Sequence, residues 1–67
     1  MKLHVVIEMD SAAFVGNEEG EVARMLREFA KRLDNHNVGF YNPRNMETIA
    51  LLPDANGTLA GVVKLIP

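Results

Sequence analysis

His4 and His36 are the two imidazoles of this sequence, and neither has a carboxylate or a second histidine at the spacing that a metal site or a catalytic dyad requires. They read as surface histidines. Ser11 lies in DSAAFVGN without the strand-to-helix glycine context that exposes a serine nucleophile, and Gly16 and Gly20 form no phosphate-cradling loop. The expectation is a protein without enzyme activity, with no metal and no cofactor.

Two clusters keep the chemistry of recognition. Arg24, Arg27 and Lys31 recur at three- and four-residue steps, which places three cations in one stripe on the solvent side of a helix, with Arg44 as a candidate neighbour. This is the feature best suited to nucleic-acid contact. Glu21 and Glu28 flank the stripe at helical spacings and can pair with it, which is also how an ordinary solvated helix face is written. The segment VGFYNPRN groups Phe40, Tyr41 and Arg44, and aromatic residues with arginine are the types enriched at the energetic centre of protein interfaces. The competing reading is that Phe40 and Tyr41 cap the edge of a sheet, because a small core needs every aromatic it has.

The elements that hold these residues follow from periodicity. Over residues 2–9, Leu3, Val5, Ile7 and Met9 alternate with Lys2, His4, Val6 and Glu8, the period of a half-buried strand. DSAAFVGN then breaks the pattern, and Phe14 within it is expected to plug the edge of the core. From Glu18 to Asp34, Val22, Met25, Leu26, Phe29, Ala30 and Leu33 mark one face of a helix, with Leu26 and Phe29 at the centre of the stripe. Asn17 is the expected N-cap, Glu18, Glu19 and Glu21 suit the positive end of the helix dipole, and Lys31 and Arg32 suit the negative end. Gly20 weakens the first turn by roughly 1 kcal/mol relative to alanine. NHNVGFYNPRN is a long connection with room for a short extended piece at 38–41. METIALL and TLAGVVKLI carry the aliphatic and β-branched residues of two strands, and Asn56-Gly57 between them signals a hairpin, either a two-residue primed turn or a type I turn with a bulge at Gly57.

Strand, helix, strand, strand gives an α+β fold, one two-layer β-α-β-β domain over residues 1–67. The expected sheet has three mainly antiparallel strands in order 1-3-2, with the helix packed on one face. Its composition is that of a folded chain, 48% hydrophobic and 24% charged, and a net charge of −2 argues against a dominant attraction to phosphate or anionic lipid. MKLHVVIEMD is too short and too charged for a signal-peptide core, and no apolar run approaches a membrane span, so a soluble cytoplasmic protein is expected. A domain of this size buries only ~60% of the surface its unfolded chain exposes, and the absence of cysteine removes disulfides and thiolate-bound zinc as reinforcement. Oligomerisation or a binding partner remains.

One helix shields one side of the sheet. With Leu3, Val5, Ile7, Leu59, Val63 and Leu65 facing it, His4, Val6, Glu8, Val62, Lys64 and Ile66 face outward, joined by Ala50 or by the pair Ile49 and Leu51. The expected interface residues are Val6, Val62, Lys64, Ile66, Phe40, Tyr41 and Arg44, in a homodimer or against a second protein.

The whole pattern, a strand like KLHVVIEMDSAAF, a helix like EVARMLREFAKRLD and a hairpin like LLPDANGTLAGVVKL, resembles a loose group of small proteins encoded by bacteriophages and prophages. The resemblance covers most of the chain and brings no catalytic residue with it; the loop at 35–45 is longer than the group's pattern. It implies an intracellular phage accessory protein that binds a host protein, a class that includes inhibitors of host defence factors. The alternative expectation is a nucleic-acid-binding or transcription-modulating accessory protein that uses Arg24, Arg27 and Lys31.

Overall fold

The computed structural model describes residues 1–36 and 47–67. Strand β1 (Lys2–Ile7) leads through a 3-10 turn (Ala12–Phe14) into helix α1 (Glu18–Asp34), and strands β2 (Glu47–Pro53) and β3 (Leu59–Ile66) complete the chain. The sheet runs β1-β3-β2 with both pairings antiparallel, so the last strand is central and the first two are the edges. The α+β architecture, the strand order and the helix bounds agree with the periodicity of the sequence.

The core forms where α1 lies over β2 and β3. Met25 and Phe29, one helical turn apart, meet Phe14 from the 3-10 turn, Leu52 and Ala50 from β2, and Val63 from β3. Phe14 is fully buried, so it stands inside the core. Gly61 lets the layers close, because a Cβ there would come within 2.9 Å of Leu52 Cβ and 3.2 Å of Met25 Cε.

Several side chains expected in the core lie outside it. Leu26 is 42% exposed and Ala30 is also exposed, because the buried stripe runs along Glu21, Met25 and Phe29, and Leu26 sits one position round the helix from it. Leu3 and Val5 point to the helix side, opposite Leu65 and Val63, yet remain 42% and 38% exposed. The helix packs mainly on β2 and the 3-10 turn, and from β1 it is Ile7 that packs against the core. Leu59 is also exposed, since a register shift places Leu52 opposite Gly61 but Pro53 opposite Leu59, and Ala60 packs on the core instead.

Asn17 takes the N-cap position, but its side chain makes no capping hydrogen bond and rests over Gly20, where a Cβ would collide with it. Gly20 therefore exchanges helix propensity for that close approach. At the far end the helix stops at Asn35, and His36 adopts φ 54°, the left-handed conformation that ends many helices.

Candidate interaction surface

The hairpin between β2 and β3 is held from three directions. Gly57 N–H donates to Asp54 O at 3.0 Å and Asp54 N–H to Thr58 O at 2.8 Å, closing a turn in which Gly57 has φ +83°. Asn56 has a negative φ, so the primed turn is excluded and the turn with Gly57 as bulge residue is the one formed. Asp54 Oδ1 accepts from the N–H groups of Asn56 and Thr58, each at 2.9 Å, while Oδ2 accepts from Ser11 Oγ at 2.6 Å. Glu21 reaches across from α1, accepting from Ala55 N–H at 2.8 Å and from Arg24 Nε.

Glu21 and Asp54 are both buried, and both carboxyls titrate below their ordinary range. For Glu21 the Arg24 hydrogen bond is the main cause, followed by Ala55 N–H; for Asp54 it is the Ser11 hydroxyl, with the Thr58 and Asn56 amides adding to it. Burial opposes the shift in each case and loses to these donors. The Ser11 hydroxyl donates to a carboxylate that is already occupied by two amides, so this cluster is a brace that fixes the 3-10 turn, the hairpin and α1 to one another.

That brace orients the outer face of the sheet. Cross-strand register places Val6, Val62 and Leu51 in one row across all three strands. Val6 is 56% and Leu51 48% exposed, and Val62 is half-buried between them. The next row is His4, Lys64 and Thr48, and beyond it Ile66 lies opposite Lys2. Of the expected contributors from β2, Leu51 joins this face, whereas Ala50 is buried opposite Val63 and Ile49 sits in a register shift and packs on the core. Lys64 is half-buried and forms no ion pair among the described residues, so its charge reaches water at the margin of the apolar row. Phe40, Tyr41 and Arg44, and the extended piece at 38–41, lie outside the described residues.

The basic stripe is divided between tasks. Arg24 is half-buried, bound to Glu21 and donating from Nη2 to Pro53 O at 3.3 Å. Arg32, one position beyond Lys31, donates from Nη1 to Leu51 O at 3.0 Å. Lys31 Nζ stands 3.8 Å from Glu28 Oε1 in an exposed pair, and Arg27 is exposed without an ion-pair partner among the described residues. His4 and His36 are exposed and far apart in the fold's order, and no group of three potential metal ligands occurs among the described residues.

Glu21 pairs with Arg24 of the stripe as its spacing predicts, but it is buried instead of lying on a solvated face. A glutamate in the first turn of a helix reads as a response to the dipole, and only the approach of Ala55 N–H gives it a second function. We find no match to this chain among protein-family models, curated proteins or solved structures. No helix among the described residues is long and apolar enough to cross a membrane.

Proposed function

We propose that this chain is a non-enzymatic protein-interaction module that self-associates and presents the outer face of its sheet to a partner protein. The observation that carries the proposal is the row of Val6, Val62 and Leu51, which lies on the face away from α1 and crosses β1, β3 and β2, while on the other face α1 closes the core over β2 and β3. Apolar surface arranged contiguously on so small a domain is surface whose burial lowers the free energy of a complex. In the setting that the phage resemblance implies, the partner is a host protein and the module acts inside the cell, with inhibition of a defence factor as one outcome of that contact. The nucleic-acid alternative has weaker support, because Arg24 is committed to Glu21 and the β2 backbone and Lys31 is beside Glu28.

The test is retention of proteins from a bacterial lysate by immobilised parent and by Val62→Glu, with and without nuclease, at low and high salt. A protein held by the parent through high salt and nuclease, and released by Val62→Glu, is the expected result. Retention that disappears with nuclease and falls steeply with salt would replace this reading with the nucleic-acid one.

A further inference from the structure

We infer that the outer edge of β1, which no other described strand covers, pairs with the same edge of a second copy, antiparallel about a twofold axis at Val5, joining two three-stranded sheets into one of six strands. This rests on the self-association proposed above and names the surface that makes it.

The two edges of the sheet are built differently. On β2, Pro53 lacks an N–H, the pairing with β3 is shifted in register, and the carbonyls of Leu51 and Pro53 are occupied by Arg32 and Arg24. These are the devices that close an edge to further strands. On β1 there is no proline and no register shift. Glu8 N–H donates to Ala60 O at 2.8 Å, which sets the alternation of the ladder. His4 and Val6 therefore turn their backbone groups toward β3, while Leu3, Val5 and Ile7 turn theirs to the open side. The same three residues carry the apolar side chains that α1 leaves partly uncovered.

The register follows from the chain's own sequence. Free N–H and C=O groups sit on odd-numbered residues, so odd must oppose odd across a twofold axis. Centred on Val5, Leu3 faces the partner's Ile7 on the helix side, and His4 faces the partner's Val6 on the outer side. Lys2 then faces the partner's Glu8, so opposite charges close both ends of the pairing. Centred on His4, two imidazoles would oppose each other; centred on Val6, half of the pairing would fall beyond the strand's end at Ile7. Pairing at Val5 also sets the Val6, Val62 and Leu51 row of each copy end to end with the His4, Lys64 and Thr48 row of the other, so the two apolar rows lie diagonally across the twofold axis.

Amide hydrogen exchange over a concentration series is the test. Leu3, Val5 and Ile7 amides are expected to exchange slowly at high concentration and quickly on dilution, while His4 and Val6 stay slow throughout. Exchange at Leu3, Val5 and Ile7 that does not depend on concentration overturns the pairing. Sedimentation of variants gives a second readout. Val5→Pro removes a donor that faces away from β3, so it is expected to keep the intramolecular ladder and yield a folded monomer. Glu8→Lys is expected to weaken association roughly tenfold by opposing Lys2 with lysine at both ends, and the double variant Lys2→Glu/Glu8→Lys to restore it. A dimer that survives Val5→Pro but is broken by Val62→Glu overturns edge pairing and leaves self-association through the sheet face. A monomeric parent overturns both.

Discussion

Phe29 and Leu26 lie on the same helix and look equivalent in its apolar periodicity, but their replacement by alanine should have very different consequences. Phe29 is 4% exposed and packs among Met25, Phe14 and Leu52, so Phe29→Ala loses the transfer free energy of the ring and leaves a cavity, together about 3–5 kcal/mol. That is comparable to the ~3–5 kcal/mol that a single core of this size supplies. Leu26 is 42% exposed, and a fully buried leucine contributes about 1.5–3 kcal/mol, so a little over half of that, roughly 1–1.5 kcal/mol, is at stake with no cavity formed. The better helix propensity of alanine brings the net loss in Leu26→Ala to about 1 kcal/mol. Urea titrations followed by far-ultraviolet circular dichroism measure both. Leu26→Ala should retain a cooperative transition at lower urea, and Phe29→Ala should have none, while Phe29→Leu, which keeps most of the apolar volume, should fall between them. Equal losses at the two positions, or a larger one at Leu26, would refute the placement of the helix over β2 and β3.

Three further outcomes follow from particular atoms. Gly57→Val should lower the melting temperature although nothing lies within 4 Å of its added Cβ, because a β-branched residue resists φ +83°; an unchanged thermal transition would contradict the turn. Gly61→Ala should cost about 1–3 kcal/mol by overpacking against Leu52 Cβ, offset only in part by the reduced freedom of the unfolded chain, and a gain in urea stability would show that the two layers can part without penalty. Glu21 and Asp54 have folded-state pKa values below their unfolded ones, so their stabilisation is complete above the unfolded carboxylate range and is lost as pH falls through the folded values. Stability should thus decline on acidification below about pH 4, and the double variant Glu21→Gln/Asp54→Asn should lose much of that dependence in pH-resolved thermal melts.

The sequence foretold the elements that depend on local pattern and missed those that depend on where layers meet. The alternation of Leu3, Val5 and Ile7 and the three-four spacing of Val22, Met25 and Phe29 are properties of neighbouring residues, and β1 and α1 follow from them. Strand order followed from the short Asn56-Gly57 connection and the crossover helix. The lateral position of α1 did not, because the same apolar stripe could cover any pair of strands; its place over β2 is fixed by Gly61, Leu52 and the donors from Arg24 and Arg32. The facing of Leu59, and the choice between Ala50 and the pair Ile49 and Leu51, escape parity for a related reason, since a one-residue register shift reverses which side chains face the core. At the candidate surface, Val6, Val62, Lys64 and Ile66 were legible from parity alone. Leu51 was selected over Ala50 only by the shifted pairing of β2 with β3.

Association of this domain through the parts of its sheet that the helix leaves open is decided by its mass in solution. Sedimentation equilibrium of the parent chain at micromolar concentrations measures that mass directly. A species of twice the mass of one chain, dissociating on dilution and little affected by added salt, is the predicted result, because most of the contact is apolar side chain and backbone pairing. A single-chain mass throughout the concentration range would contradict it.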